Sequence, residues 1–288
     1  MKRGAVAAIV FLLGIGTSPA ADRPRNLPAS GGDALIEIPA APENGFNFPY
    51  LLFIPNSALA KRYGYLLVEP NNSGHLSDDF EIHRAAAIAL ARDNSVGNFV
   101  AKRLGLPFLV PIFPRPASAE NVQTQSLDRD TILIAAGPLR RLDLQLLSMV
   151  ADARPRLEAI GYPVEPRFLL NGFSAAGLFA NRFTFLHPHA TLAAAYGGLN
   201  GFIMLPVTEL KSRALNYPLG IADLEKITGY AFDQEAYQAL PQFAYMSAGD
   251  NHDAVLHEAG TGHGTNGATN TEVADFFRTA IEAAEPKK

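Results

Sequence analysis

The sequence predicts an α/β fold with a mainly parallel central sheet and helices on both faces. Short apolar, strand-like runs alternate along the chain with longer segments whose apolar residues recur at helical spacing. The intervening segments are long enough for the crossovers that parallel neighbours need. With 288 residues, 48% of them hydrophobic and 18% charged, the chain has material for a packed core and is not a disordered polymer. Length alone leaves open one large domain or two small ones.

The elements follow in order. Residues 1–21 stand apart from the fold: Lys2 and Arg3 give a positive start, 5–15 form a short apolar run, and Ser18-Pro19-Ala20-Ala21 ends it with small residues. That order is expected of a secretory signal peptide cleaved near Ala20 or Ala21, and the run is too short for a retained membrane anchor. Residues 22–47 read as an N-terminal tail and first strand, and 48–288 as the main domain. Strands are expected at 50–55, stopped by Pro55, and at 65–68, before Glu69-Pro70. A helix-like stretch covers 79–104 with a break near 94–97, and 108–113 is a third strand. A helix over 142–160 contains Pro155, expected to kink or divide it. Then come a strand at 167–170, a Gly-Phe-Ser turn, a helix at 175–186, strands at 192–196 and 242–247, and a closing helix at 272–283. Residues 199–240 break the rhythm and read as a cap or a long connection.

Composition narrows the function. The net charge of −4 offers no broad basic surface for phosphates, so general nucleic-acid binding is not expected. Cysteine is absent, which removes disulfides, a thiolate nucleophile and any Cys-ligated zinc. An exported chain without disulfides relies on core burial, which this length can supply.

The sharpest motif is Asn171-Gly172-Phe173-Ser174-Ala175-Ala176-Gly177, placed between a strand and a helix. A nucleophile elbow needs that context, because the chain reverses so tightly that the serine sits at its tip. Small residues are expected two positions either side of Ser174, where Cβ atoms would strike backbone, and Gly172 and Ala176 occupy those places. The bland alternative is an ordinary turn with a serine helix cap. Order along the chain favours catalysis, since an acid and then a histidine should follow the serine. After the strand at 242–247 comes Ala248-Gly249-Asp250-Asn251-His252-Asp253-Ala254-Val255. Asp253 is the preferred acid and Asp250 the alternative. Gly260-Thr261-Gly262-His263-Gly264 then presents His263 on a glycine-lined loop as general base. His75, His83, His187 and His189 precede the acid and are expected to cap, line a surface or sit in a loop. His252 and His257 compete with His263, and His257 suits a packed or surface role better.

An oxyanion hole needs the N–H after the nucleophile, here Ala175, and a second donor from the loop after an early strand. Glu69-Pro70-Asn71-Asn72-Ser73-Gly74 is that loop, with the Asn72 amide as donor; a plain Asx turn is the alternative. Asn71-Asn72-Ser73 also matches the short glycosylation sequon. Metal readings fail on spacing: His257 and His263 are six apart rather than four, and Gly260 and Gly262 would break a helix between them. His252, Asp253 and His257 make too sparse a ligand set, and the glycine loop lacks the lysine of a phosphate loop. No metal is expected.

Over residues 48–283 the chain resembles secreted α/β-hydrolases of the polyhydroxybutyrate-depolymerase-like and esterase group. The likeness is carried by Pro70-Asn71-Asn72-Ser73-Gly74, by Gly172-Phe173-Ser174-Ala175-Ala176-Gly177 leading to Asn181-Arg182-Phe183, by 251–255, and by Gly262-His263-Gly264. It implies the α/β-hydrolase fold, a triad of Ser174, Asp253 and His263, no cofactor, and a small-molecule or polymeric ester as substrate. A peptidase of the same fold would use the same residues. One departure stands out: such proteins usually carry a helix between acid and histidine plus a last strand. Here only ten positions separate Asp253 from His263, with 255–258 as the sole strand candidate. That departure motivates a third reading, a non-catalytic binding protein on the same scaffold.

Overall fold

Nine strands and eight α-helices alternate along the residues described by the computed structural model, 32–60, 63–93, 95–199, 201–246 and 264–285. In chain order they are β1 (Ala34–Ile38), β2 (Tyr50–Ile54), β3 (Leu67–Val68), α1 (Phe80–Arg92), α2 (Val96–Leu104), β4 (Phe108–Pro111), α3 (Arg129–Ile132), α4 (Leu142–Ala159), β5 (Phe168–Phe173) and α5 (Ala175–Leu186). Then follow β6 (Thr191–Gly197), β7 (Glu209–Leu210), β8 (Arg213–Ala214), α6 (Leu224–Thr228), α7 (Gln234–Ala239), β9 (Gln242–Tyr245) and α8 (Gly267–Ala284). The expected signal peptide lies outside the described residues, as do Asp250, His252, Asp253, His257 and His263.

Seven strands form one sheet in the order β1-β2-β4-β3-β5-β6-β9. β1 and β2 pair antiparallel, β2 meets β4 antiparallel, and the pairs from β4 to β9 are parallel. This is the mainly parallel α/β sheet expected. Successive strand residues point to opposite faces, and the core sorts accordingly. Val68, Leu109, Leu170 and Ala194 face a core with Leu146 and Met149 of α4 and Phe179 and Phe183 of α5. Leu67, Phe108, Leu169, Ala193 and Ala195 face the opposite core, with Ala87 of α1, Val100 of α2 and Phe277 of α8. Because both sides are covered, these strands are apolar without a polar alternate, the pattern of a buried parallel sheet.

Two details sharpen the sequence expectations. The break near 94–97 is real: Ser95 opens α2 as its cap, its side chain accepting from the Asn98 N–H. Pro155 does not divide α4, which runs through it. The carbonyl it leaves unbonded is that of Ala151, an exposed residue, so water can replace the missing partner. The segment 199–240 holds the small β7–β8 hairpin, α6 and α7. Among the described residues no helix is long and apolar enough to cross a membrane.

The chain leaves β3 towards β4 on one side and leaves β5 towards β6 on the other, so strand order reverses between β3 and β5. In open α/β sheets ligands bind outside the carboxyl ends of strands at such a switch point. The loop after β3 and the turn after β5 both open there.

Candidate active site

Ser174 closes β5 and opens α5 with φ 59° and ψ −124°, a conformation that L-residues other than glycine rarely adopt. Such strain persists only where the surroundings over-determine it. Here the Ser174 N–H donates to Gly197 O at the end of β6 (2.9 Å), and the Leu178 N–H donates back to Ser174 O (3.2 Å). Glycine supplies the remaining room: a Cβ on Gly172 would overlap the backbone carbonyl of Ala176, and one on Gly177 would come within 2.7 Å of Gly197 O. α5 is anchored behind the corner by Phe179, Phe183 and Phe185, each at most 1% exposed. The hydroxyl-bearing corner is therefore fixed from below while Ser174 itself stays half-buried.

The facing wall is the loop after β3, and hydrogen bonds rather than close packing shape it. The side chain of Asn71 clasps Phe113, its Nδ2 donating to Phe113 O (3.0 Å) and its Oδ1 accepting the Phe113 N–H (2.9 Å). Gln125 Oε1 accepts the Ser73 N–H (3.0 Å), and Gln125 Nε2 donates to Phe113 O (2.9 Å). His83 Nδ1 lies 2.9 Å from Ser73 Oγ and Nε2 2.9 Å from Ser77 O. His83 is thus fully buried on α1, not the capping, surface or loop residue expected, because its ring fills a polar hole between α1 and the loop. His75 is exposed, His189 pairs with Asp233 at the surface, and His187 pairs with the buried Asp143 behind α5.

Asn72, Ser174 and Ala175 line one cleft of about 440 Å3, together with Ser73, Gly74, Arg115 and Phe173. The Asn72 side chain forms the Asx turn, Oδ1 accepting the Gly74 N–H (3.2 Å), while its Nδ2 reaches Phe173 O (3.4 Å). Turn and cleft-lining roles therefore coexist. As the first residue of α5, Ala175 carries an N–H for which the helix has no acceptor, at the positive end of the helix dipole.

Beneath the corner lies Glu69, 2% exposed, at the end of β3. Its Oε2 accepts from the Gly97 N–H (2.9 Å) and from Asn171 Nδ2 (2.8 Å). Burial pushes its carboxyl up to about 7, against the smaller lowering effect of those two bonds. The Tyr245 phenol shares this region, and burial, then the Glu69 charge, hold it well above its ordinary value.

The segment carrying Asp250, Asp253 and His263 lies outside the described residues, but both its flanks reach the site. The Tyr245 ring stacks on Phe173 at 6.4 Å, and the Gly198 N–H donates to Tyr245 O (3.2 Å). Gly264 and Thr265 line an adjoining cleft of about 550 Å3 with Glu69, Asn72 and Phe173. Nothing in the sequence marks Arg115 or Gln125 as a site residue, and His83 reads there as a capping, surface or loop residue. Only Glu69 left a usable signal, an acid directly after an apolar strand.

No protein-family model matches the chain, and no curated protein matches it. Among solved structures it is similar to the poly(3-hydroxybutyrate) depolymerase LpqC from Bordetella parapertussis, at 18% identity and TM-score 0.46, covering 88% of this chain and 78% of that one. It is also similar to poly(aspartic acid) hydrolase-1 from Sphingomonas sp. KT-1, at 16% identity and TM-score 0.49, covering 88% and 85%. A third is an S-formylglutathione hydrolase from Agrobacterium tumefaciens, at 13% identity and TM-score 0.45, covering 87% and 94%. None of the three reaches a TM-score of 0.5, so the assignment rests on the sheet itself. Strand order, the strained serine corner after β5 and the helix running from it give this chain the α/β-hydrolase fold.

Proposed function

We propose that this chain is a serine hydrolase that cleaves carboxylic esters through an acyl-enzyme on Ser174. The observation that carries the reading is the backbone of Ser174, held at φ 59° and ψ −124° in a cleft at the sheet's switch point. A non-glycine residue in that conformation costs free energy that glycine would avoid, and a side chain needed at the tip accounts for the cost. In the proposed reaction His263 takes the hydroxyl proton, and Ser174 Oγ attacks the ester carbonyl. The N–H groups of Ala175 and Asn72 receive the charge on the tetrahedral oxygen. His263 returns its proton to the leaving alcohol, then activates water to release the acid and restore Ser174. Asp253, with Asp250 as alternative, orients the imidazole. The approach of both segment flanks to Phe173 supports bringing this acid and histidine to the serine. Substrates on this reading are small-molecule or polymeric esters met after export, with residues 1–21 as the leader.

The test is hydrolysis of 4-nitrophenyl acetate, butyrate and octanoate, set against peptide 4-nitroanilides. Ester turnover should fall by about four to six orders of magnitude in Ser174→Ala and comparably in His263→Ala, since such residues act as a unit. Ester turnover that survives in Ser174→Ala would remove the reading, and faster anilide than ester cleavage would make the enzyme a peptidase.

A further inference from the structure

The cleft beside Ser174 contains a cation that the proposed reaction does not use. Arg115 lines it with Asn72, Ser73, Gly74, Phe173, Ser174 and Ala175, and no acidic residue shares that lining among the described residues. Its Nε is fully shielded from solvent and has no hydrogen-bond partner. No ion pair joins its guanidinium to a described carboxylate, although other half-buried arginines here have one: Arg129 pairs with Asp223 and Arg156 with Asp152. An Nε–H that has lost its water without gaining an acceptor is costly, and an anion bound at the guanidinium would offset that cost.

The backbone carrying this side chain is pinned. The Arg115 carbonyl accepts the Ser77 N–H (3.0 Å), and its backbone nitrogen lies against His83 Nε2 at 3.2 Å. Prolines 114 and 116 flank it, fixing φ on both sides. Arg115 is thus held on a rigid stem at the cleft that Ser174 also lines. The amino-terminal end of α5 opens into that space too and adds positive potential.

We propose that Arg115 binds a carboxylate of the substrate, so that the esters this site prefers are monoanions whose charge lies near the scissile bond. The inference rests on the hydrolase reading above and deepens it by naming the substrate class. A planar carboxylate matches the guanidinium fork with two parallel N–H···O bonds, which a lysine could not reproduce. The carboxylate can sit on either side of the ester: in the acyl part, as in a half-ester of a dicarboxylic acid, or in the alcohol part, as in an ester of a hydroxy acid.

Matched pairs of esters test the idea. For the acyl side, 4-nitrophenyl hemisuccinate is compared with 4-nitrophenyl butyrate; for the alcohol side, 4-carboxyphenyl butyrate with its methyl ester. Whichever pair places its charge correctly should show a preference for the anion that drops about 10- to 100-fold in Arg115→Gln, the worth of a charge-assisted bond. Arg115→Lys should restore part of the preference, and added salt should weaken it. Because the side chain holds no other group in place, Arg115→Gln should melt within a degree or two of the wild type. An anion-to-neutral ratio unchanged by Arg115→Gln in both pairs overturns the proposal, as does a melting temperature lowered by many degrees, which would make Arg115 structural. Equal losses for charged and neutral esters would also overturn it, placing Arg115 at the reacting carbonyl instead. Equilibrium binding of the same esters to Ser174→Ala protein separates this proposal from the hydrolase reading. Tighter binding of the anion that is lost in Ser174→Ala/Arg115→Gln supports Arg115 even if no ester is turned over. Equal binding of both members contradicts it even if turnover is fast.

Discussion

The two walls of the cleft are held by opposite means. The corner at Ser174 is defined by missing atoms: Gly172 and Gly177 let α5 and the end of β6 come closer than a Cβ would allow. The loop after β3 is defined by added bonds, from Asn71 to Phe113, from Gln125 to Ser73 and from His83 to Ser73 and Ser77. Close packing of backbone tolerates no change of volume, whereas a polar network loses its members one at a time. A steric wall should therefore fail as a whole and a bonded wall by degrees.

Gly172→Ala should show the sharpest effect. Its new Cβ meets the Ala176 backbone carbonyl rather than a movable side chain, so a loss of about 4 kcal/mol in unfolding free energy is expected from denaturant titration. A loss under about 1 kcal/mol would mean that the corner can relax and that its strain is not locked in.

Glu69 joins the walls from below and makes stability depend on pH. Its folded value of about 7 exceeds its ordinary 4.5, so between those values the folded chain holds a proton that the unfolded chain has lost. Its contribution therefore favours folding at low pH and is lost as pH rises from about 4.5 to about 7, amounting to about 3 kcal/mol by pH 8. Urea midpoints followed over that range should fall less steeply in Glu69→Gln than in the wild type. Parallel profiles would show that the buried carboxyl is not the source.

Gln125→Ala should act more gently. It leaves the Ser73 N–H without its acceptor, while Phe113 O keeps its bond from Asn71 Nδ2, at a loss of about 2 kcal/mol, and loosens the loop enough to lower ester turnover roughly tenfold. Full activity in this variant would show that the loop keeps its shape without the network.

The same contrast explains what could be read from the sequence. The steric wall leaves local marks, Gly172 and Gly177 around Ser174, and the helix from Ala175 to Leu186 was legible to the residue. The bonded wall joins Ser73 to Gln125 and Asn71 to Phe113, partners 52 and 42 positions apart, and no local pattern announces them. Arg115 gives no mark either, because whether an arginine faces a cleft depends on the fold around it. The last helix begins five residues before the expected 272: Asn266 caps it with bonds to the Ala268 and Thr269 N–H groups, but Gly267, Asn270 and Thr271 are weak helix formers that hid its first turn. β3 was expected over 65–68, and its ladder bonds run from Leu66 O to the Glu69 N–H although only Leu67 and Val68 are regular strand. The reversal of strand order that places the cleft was not legible at all, since it is a property of the assembled sheet.

The most direct test of the account asks whether the strained corner makes its hydroxyl a nucleophile. Folded protein is treated with a fluorophosphonate probe and the adduct located by peptide mass spectrometry. The account expects one adduct, on Ser174, formed at neutral pH and absent from folded Ser174→Ala. An adduct at a different residue, or none on protein shown to be folded, would contradict it.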